Sequence, residues 1–289
     1  MNIQYLEPRI LPVPYEEGVY WRKGTKDGPD AILREAAKVR EFSLILNRRN
    51  PYVLKDILVP APSIEPYSKQ RSLKKIELSI DKILEQGYAP VVLGGDHSIT
   101  LPIMRSLANA YGPKQFGIIH FDAHSDTFDA VDGFEYHHGA VFRHIVEEGL
   151  VAPEHVHQFG IRGFVRGDGL SFANRNGIPY VLMEEFRAKN FDLAAYCRRD
   201  MPYFISIDID AVDPAFAPGT GTPVPGGFSS GEILGVLRQL ADYMVIGLDL
   251  VEVAPIFDQG NVTVLLAAHI LVESLTGIRF VKPFVEGNA

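Results

Sequence analysis

Four apolar runs in this sequence each end in a cluster of acidic residues and histidines. They are VVLGGDHS (91–98), IIHFDAHSD (118–126), FISIDIDAVD (204–213) and IGLDLVEVAP (246–255). A continuous apolar run is typical of a strand buried on both faces of a parallel sheet, and open α/β sheets bind ligands beyond the carboxyl ends of their strands. If the four runs are neighbouring strands, their polar ends meet in one crevice.

The rest of the chain alternates short apolar runs with longer amphipathic stretches. This pattern predicts strands at 10–13, 90–93, 116–121, 155–161, 179–182, 204–209 and 244–253, and helices beginning at 28 and over 72–86, 98–111, 140–148, 230–241 and 262–275. Alternating strands and helices indicate an α/β protein, with one mostly parallel sheet and helices on both of its faces. Because no linker, repeat or low-complexity segment interrupts the pattern, we expect a single domain over residues 1–289.

The composition excludes several classes of protein. A formal net charge of −8 leaves no basic footprint for nucleic acid and weakly favours a cationic substrate. A lone cysteine, Cys197, excludes a disulfide framework and a cysteine-based zinc site. The N-terminal segment lacks the basic flank and apolar core of a signal peptide, and no apolar run reaches about 18 residues. We therefore expect a cytoplasmic protein that does not bind membranes.

Three of the clusters carry side chains that can bind metal ions. The D-x-H-x-D spacing of the second cluster and the D-x-D spacing of the third place these side chains on one side of an extended chain. The histidine of the first cluster follows a Gly-Gly pair, where the backbone can turn sharply. The six candidate ligands are His97, Asp122, His124, Asp126, Asp208 and Asp210.

Taken singly, each of these residues also fits an N-cap, a turn or a surface acid. Four carboxylates in one cleft are different, because without cations several of them would have to hold protons. Oxygen and nitrogen ligands without sulfur fit Mn²⁺ best, with Fe, Co, Ni and Zn as alternatives. Two metals about 3.5–4 Å apart share a water and turn it into a bridging hydroxide near neutral pH. The pattern thus predicts hydrolysis of a phosphoester, an amide or a guanidinium group.

Longer blocks of the sequence resemble a known family. GGDHS, DAHSD and SIDIDAVDPAFAPGTGTPVPGG are similar to the three signature blocks of the ureohydrolases, the family of arginase and agmatinase, and DLVEVAP resembles a fourth block. EEGVYWRKGTKDGPDAILREA resembles the N-terminal loop and helix of that family, so the match runs from about residue 10 to the last helix. The resemblance implies a three-layer α/β/α sandwich, a ureohydrolase catalytic domain and two Mn²⁺ ions per subunit.

The resemblance also implies which ligands each ion would have. One ion would be bound by His97, Asp122, Asp126 and Asp208. The other would be bound by Asp122, His124, Asp208 and Asp210. In this assignment Asp122 and Asp208 bridge the two ions.

Two catalytic groups and one pocket residue follow from the same resemblance. A histidine near the metals can give a proton to the departing amine. The proton-shuttling histidine of the family directly precedes a glycine, which selects His138 over its neighbour His137; the alternative is an ordinary loop histidine. Glu252 matches the glutamate that orients the guanidinium, the alternative being an acid that only supports the metal ligands. Thr222 matches a threonine lining the same pocket.

The residues that would hold the tail of the substrate differ from those of arginases. Phe128, Phe134 and Val165 stand where arginases bind the amino-acid head group with polar residues. We therefore expect agmatine as the substrate, cleaved to putrescine and urea in polyamine biosynthesis. Guanidinobutyrate or guanidinopropionate is the second candidate, because Arg162 or Arg166 could bind a tail carboxylate; arginine remains a third.

Other classes of protein are less consistent with these residues. A deacetylase on the same fold uses a single zinc, and His97 and Asp126 argue for two metals. A two-metal phosphoesterase normally adds lysine or arginine beside the metals, and none lies in the four clusters. A metal-free binding protein should have lost ligands. By resemblance we expect a homo-oligomer, either a trimer or a hexamer, that acts on a small guanidino compound.

Overall fold

The structure, a computed structural model, describes residues 4–65, 68–130, 135–165 and 169–283. The strands in chain order are β1 (Gln4–Tyr5), β2 (Pro8–Val13), β3 (Phe42–Ser43), β4 (Arg48–Arg49), β5 (Ala89–Gly94), β6 (Gly117–Phe121), β7 (Val156–Ile161), β8 (Tyr180–Leu182), β9 (Pro202–Asp208), β10 (Met244–Val251) and β11 (Val281–Lys282). The helices are α1 (Gly28–Ala36), α2 (Leu54–Ile57), α3 (Lys69–Glu85), α4 (Thr100–Tyr111), α5 (Val141–Glu147), α6 (Ser171–Asn176), α7 (Met183–Ala188), α8 (Ser230–Arg238) and α9 (Val262–Gly277).

Seven of the strands form one sheet in the order β2-β5-β10-β9-β6-β7-β8. Every neighbouring pair in this sheet is parallel. The four apolar runs that end in acidic clusters are β5, β10, β9 and β6, which lie side by side. The prediction that their carboxyl ends share one edge of the sheet is therefore confirmed.

Helices cover both faces of the sheet. Val91 and Leu93 of β5 pack with residues of α1, α7, α8 and α9, whereas Val92 packs on the other face with residues of α3, α4 and α5. Successive side chains of a strand point to opposite faces, so a strand with a core on each side is mostly apolar along its length. The predicted three-layer α/β/α sandwich is confirmed.

The sequence pattern missed the shortest elements and extended β9 and β10 too far at their carboxyl ends. β1 with β11, β3 with β4, and the short helices α2, α6 and α7 contain too few residues to show a period. β10 ends at Val251 instead of Val253, because Glu252 has a left-handed φ of 62°. β9 ends at Asp208, where a short 3₁₀ turn begins. Within the described ranges, no helix combines the length and apolar character that crossing a membrane requires.

Candidate metal and active site

Two aspartates at strand ends build the turns that carry the predicted ligands. Asp122 follows β6, and its Oδ1 accepts the backbone N–H of His124 at 2.6 Å. Asp208 ends β9, and its Oδ1 accepts the backbone N–H of Asp210 at 2.7 Å. The expectation that the chain stays extended through both clusters is wrong beyond the strand ends, since Asp126 has a φ of 47° and a 3₁₀ turn follows Asp208. Turns closed by aspartate side chains, rather than strand alternation, therefore bring the ligands together.

Three carboxylates surround one nitrogen of His97. Its Nδ1 lies 3.3 Å from Asp122 Oδ2, 3.2 Å from Asp126 Oδ2 and 3.2 Å from Asp208 Oδ2. All four side chains are buried. These are the four residues assigned to one ion from the sequence, and the structure brings all of them together.

A second group of ligand atoms surrounds His124. Its Nδ1 lies 3.3 Å from Asp122 Oδ1 and 3.1 Å from Asp210 Oδ2. Asp122 thus directs one oxygen to each histidine, as a bridging ligand must. The second oxygen of Asp208 accepts the N–H of Asp210, and the bridging roles of Asp122 and Asp208 both stay predictions. Thr222 Oγ1 donates to Asp210 Oδ2 at 2.9 Å, which places Thr222 beside this group.

A buried hydrogen-bond chain fixes the tautomer of His97. Thr100 Oγ1 and Ser206 Oγ both donate to the carboxylate of Asp249, at 2.7 and 2.8 Å. Because the Ser206 proton is used in this way, its oxygen accepts from His97 Nε2 at 2.9 Å. In the neutral ring His97 Nδ1 is then a lone pair, buried among carboxylate oxygens and without a hydrogen-bond partner in the described structure. A divalent cation is the group that such a donor set fits.

The pKa values of the carboxyl groups lead to the same conclusion. Burial, followed by repulsion from Asp122, raises the pKa of Asp126 to about 6. Burial and the charges of Asp210 and Asp122 raise the pKa of Asp208 well above its usual range, and burial raises that of Asp210. Burial opposes ionisation of Asp122 as well, but the hydrogen bond with His120 and the contact with His124 lower its pKa. Without cations this cleft would therefore hold protons, as the sequence predicts.

His120 is a buried polar residue that the sequence analysis missed. Together with His97 and Asp122 it forms a group whose ligand atoms lie within 4.8 Å of one another. Its Nε2 is 2.9 Å from Asp122 Oδ2, and its Nδ1 faces the side-chain amide of Gln158 at 3.2 Å. Burial lowers the pKa of His120 to about 4, so the ring is neutral near pH 7. Since both ring nitrogens are occupied by hydrogen bonds, we assign His120 to the support of Asp122 and not to the ligands.

His138 and Glu252 form a buried pair beside the carboxylates. His138 Nδ1 lies 3.1 Å from Glu252 Oε1, which also accepts the backbone N–H of His97 at 2.8 Å. Burial alone would lower the pKa of His138, but the charge and hydrogen bond of Glu252 raise it to about 9. The imidazole is thus protonated near neutral pH, and its Nε2 has no partner among the residues described.

Glu252 is held in an unusual backbone conformation. Its φ is 62°, and its N–H donates to the carbonyl oxygen of Gly95 at 2.8 Å. A side chain at Gly95 would lie only 1.7 Å from the carbonyl oxygen of Tyr15, so glycine is needed where these loops touch. Strained residues of this kind are concentrated at functional sites.

The second oxygen of Glu252 faces a space that a side chain would fill. Glu252 Oε2 is buried and has no hydrogen-bond partner within the described ranges. A methyl group at Gly221 would lie 3.9 Å from this oxygen and 3.2 Å from the carbonyl oxygen of Arg22. The φ of Gly221 is not positive, so the backbone does not require glycine here. The absence of a side chain leaves a space between two hydrogen-bond acceptors, which we call the Gly221 cradle.

The remaining residues singled out from the sequence have different surroundings. His137 is buried, and its Nε2 bonds the carbonyl oxygen of Asp129 at 3.0 Å, as in a residue with a structural role. Phe128 is partly buried and its N–H donates to the carbonyl oxygen of Gly139, while Val165 is exposed. Phe134 and Arg166 lie outside the described residues.

Arg162 is occupied by the protein backbone. Its guanidinium donates to the carbonyl oxygens of Gly160, Asp210, Val212 and Val224, at distances from 2.7 to 3.4 Å. This residue therefore fixes the loop after β9 against the end of β7. It offers no free N–H pair for a substrate carboxylate.

Comparison with known proteins identifies three relatives that match along most of the chain. The chain is 35% identical over 271 residues to the proclavaminate amidinohydrolase of Streptomyces clavuligerus, covering 92% of this chain and 86% of that protein. It is 37% identical over 285 residues to the mitochondrial guanidino acid hydrolase of Homo sapiens, covering 94% and 78%. It is also 37% identical over 282 residues to the mitochondrial agmatinase of Gallus gallus, covering 96% and 82%.

The fold agrees with these relatives. The solved structure of the proclavaminate amidinohydrolase matches with a TM-score of 0.85 at 33% identity, covering 96% of this chain and 92% of that chain. The family model described as the arginase family matches residues 7–277. This protein therefore belongs to the arginase family.

Proposed function

We propose that this protein is a manganese-dependent amidinohydrolase that cleaves agmatine to putrescine and urea. The observation that carries the guanidino chemistry is the Gly221 cradle, because it directs an unpaired carboxylate oxygen and a carbonyl oxygen into one space beside the metal-ligand cluster. Two acceptors that face one space can each take an N–H of a planar guanidinium and so restrict its orientation. The mitochondrial agmatinase of Gallus gallus, 37% identical, supports the same choice of substrate.

The residues around His97 and His124 would hold the two manganese ions. Oxygen ligands from four aspartates and nitrogen ligands from two histidines suit Mn²⁺, and no thiolate is present to favour a softer metal. When bound, the ions would supply the Lewis acidity that makes water nucleophilic near neutral pH. Because the carboxylates are buried, bulk water competes little with them for binding to the ions.

His138 would supply the proton that the reaction requires. As water oxygen bonds to the guanidinium carbon, the bond between that carbon and the substituted nitrogen breaks, and the departing nitrogen takes a proton. His138 holds one proton on Nδ1 against Glu252 and a second on Nε2, which no described residue accepts. Transfer of the Nε2 proton gives urea and a free amine.

The tail of agmatine would leave the site past the loop that follows β2. Tyr20 and Trp21 of this loop are 52% and 62% exposed, and the Tyr20 ring lies 5.0 Å from the ring of His138. Aromatic faces attract an ammonium group. With Arg162 committed to backbone carbonyls, an ammonium tail fits these surroundings better than a carboxylate does.

One residue favours a guanidino acid as the second candidate substrate. Arg22 forms no ion pair in the described part of the chain, and its guanidinium lies 3.9 Å from the ring centre of Phe257. A tail carboxylate could pair with this cation. The guanidino acid hydrolase of Homo sapiens and the proclavaminate amidinohydrolase support the same alternative.

A urea-release assay on agmatine, 4-guanidinobutyrate and L-arginine tests the substrate. We expect kcat/KM for agmatine to exceed that for L-arginine by roughly a hundredfold or more, because Phe128 and Val165 stand where arginases place polar partners for the carboxylate of arginine. Arg22→Gln is the matched control, and its kcat/KM for agmatine should stay close to wild type. Higher efficiency on 4-guanidinobutyrate, abolished by Arg22→Gln, would establish the guanidino acid instead.

Gly221→Ala tests the cradle directly. The added methyl group would occupy the space between Arg22 and Glu252, so we expect kcat/KM for agmatine to fall about 10–100-fold, the loss of one hydrogen bond to a charged group. Bound manganese should be unchanged. Gly231→Ala is the matched control, because a side chain there meets nothing within 4 Å. Normal kcat/KM in Gly221→Ala would show that the guanidinium binds elsewhere.

A further inference from the structure

His120 interrupts the apolar run of β6 and is fully buried. Its ring packs on Phe142, with ring centres 4.1 Å apart, and lies 5.1 Å from the ring of His97. A buried polar residue in the middle of a strand needs hydrogen-bond partners. The two partners of His120 are Gln158 on the neighbouring strand β7 and Asp122, the aspartate that faces both ligand groups.

The protons of this chain can be assigned from its acceptors. Gln158 Nε2 lies 2.7 Å from the carbonyl oxygen of Ser125, which can only accept, so this atom must be the NH₂ group. The second hydrogen of the same NH₂ points to His120 Nδ1 at 3.2 Å. Nδ1 therefore carries no proton. The neutral ring carries its proton on Nε2 and donates it to Asp122 Oδ2 at 2.9 Å.

This donation complements a contact made on the other oxygen of Asp122. Oδ1 is fixed by the backbone N–H of His124, and Oδ2, which lies 3.3 Å from His97 Nδ1, is fixed by His120. The same Gln158 amide holds the carbonyl oxygen of Ser125, in the loop between His124 and Asp126. One amide on β7 therefore sets the tautomer of His120 and anchors the loop that carries two candidate ligands.

We propose that His120, set by Gln158 as the Nε2–H tautomer, is a positioning residue that orients Asp122 Oδ2 toward the ion on the His97 side. The inference rests on the proposed metal centre but not on the identity of the substrate. Hydrogen-bond partners of metal ligands typically change metal affinity or activity by about 10–100-fold when they are removed. The effect should fall on one ion, because only the oxygen facing His97 accepts from His120.

A pair of substitutions of equal length separates the hydrogen bond from packing. His120→Gln retains a donor close to the position of Nε2, whereas His120→Met has the same length and no donor. Metal-free proteins are titrated with Mn²⁺ and the bound ions counted, without substrate. We expect wild type and His120→Gln to bind two ions per chain, and His120→Met to bind one ion normally and the other about 10–100-fold more weakly. His269→Met, at an exposed position, is the control.

A second substitution tests the same hydrogen-bond chain, and several results would overturn the proposal. Gln158→Met removes the donor to His120 and should weaken the same ion. Equal two-ion binding by His120→Met and wild type would overturn the proposal, as would equal losses in His120→Gln and His120→Met, which would point to the ring itself. A wild-type protein that binds fewer than two ions would refute the metal centre as well. Thermal unfolding of the metal-free proteins identifies a variant that fails to fold, in which case Gln158→Met decides.

Discussion

Asp122→Asn is expected to remove both metal ions and to lower kcat/KM by more than about 10³-fold. Asp122 directs Oδ2 to His97 at 3.3 Å and Oδ1 to His124 at 3.3 Å. Among the described residues, no other carboxylate contacts both histidines. Asparagine replaces one of these oxygens with an NH₂ group, which cannot bind a cation and which repels one. A loss of three orders of magnitude corresponds to about 4 kcal/mol, the scale at which bound metals stabilise transition-state charge.

Substitution of a residue that would bind only one of the two ions gives the comparison for this prediction. Asp126 contacts His97 and has no described contact with His124, so Asp126→Asn should weaken one ion and spare the other. The left-handed φ of 47° at Asp126 is a conformation that asparagine also adopts readily, so the loop should keep its shape. Elemental analysis counts manganese per chain. A single ion in the active wild-type protein, or two ions in Asp122→Asn, would contradict the bridging role.

The fold could be predicted because each step rests on side-chain burial. The runs that became β5, β6, β9 and β10 are mostly apolar and too short for a helix, which is the pattern of a strand between two helical layers. Acidic residues directly after such runs fall on the ligand-binding edge of the sheet. The structure therefore groups the predicted ligands, although the sequence could not show which atoms of each ligand face one another.

Turn geometry is the part that sequence periodicity could not supply. The regular spacing of Asp122, His124 and Asp126 suggested a strand, but Asp122 closes a turn by accepting the N–H of His124. Glu252 likewise leaves its strand with a positive φ. Such conformations depend on contacts between distant segments, here the bond from Glu252 N–H to Gly95, which local pattern does not record.

The supporting residues left a signal that could have been used. His120 in IIHF, Ser206 in FISID and Asp249 in IGLDL are polar residues inside apolar runs, and all three are fully buried. A buried polar group without a partner is costly, so each of them implied a hydrogen bond to another element. In the structure, Ser206 and Asp249 support His97 while His120 supports Asp122. Polar interruptions of a buried strand thus point to the residues behind a site as well as those in it.

His138→Asn is expected to lower kcat by roughly 10²–10⁴-fold, the usual effect of losing a general acid, while leaving manganese binding unchanged. Asparagine can keep an N–H where His138 Nδ1 contacts Glu252 Oε1, so the carboxylate should remain in place. What it removes is Nε2, the nitrogen without a described partner. The loss should therefore appear in kcat more than in KM or in metal content.

The pH profile gives this prediction its sharpest test. Glu252 raises the pKa of His138 to about 9, so the acid form is present at neutral pH and is lost as the pH rises through that value. Wild-type kcat should accordingly fall on the alkaline side, and His138→Asn should lack this decline because its amide does not titrate. His137→Asn is the matched control: His137 bonds the carbonyl oxygen of Asp129 and should leave the alkaline decline in place. An inactive His137→Asn beside a His138→Asn of normal turnover would transfer the acid role to His137, since the proton donor must be the histidine whose loss removes both the rate and its dependence on pH.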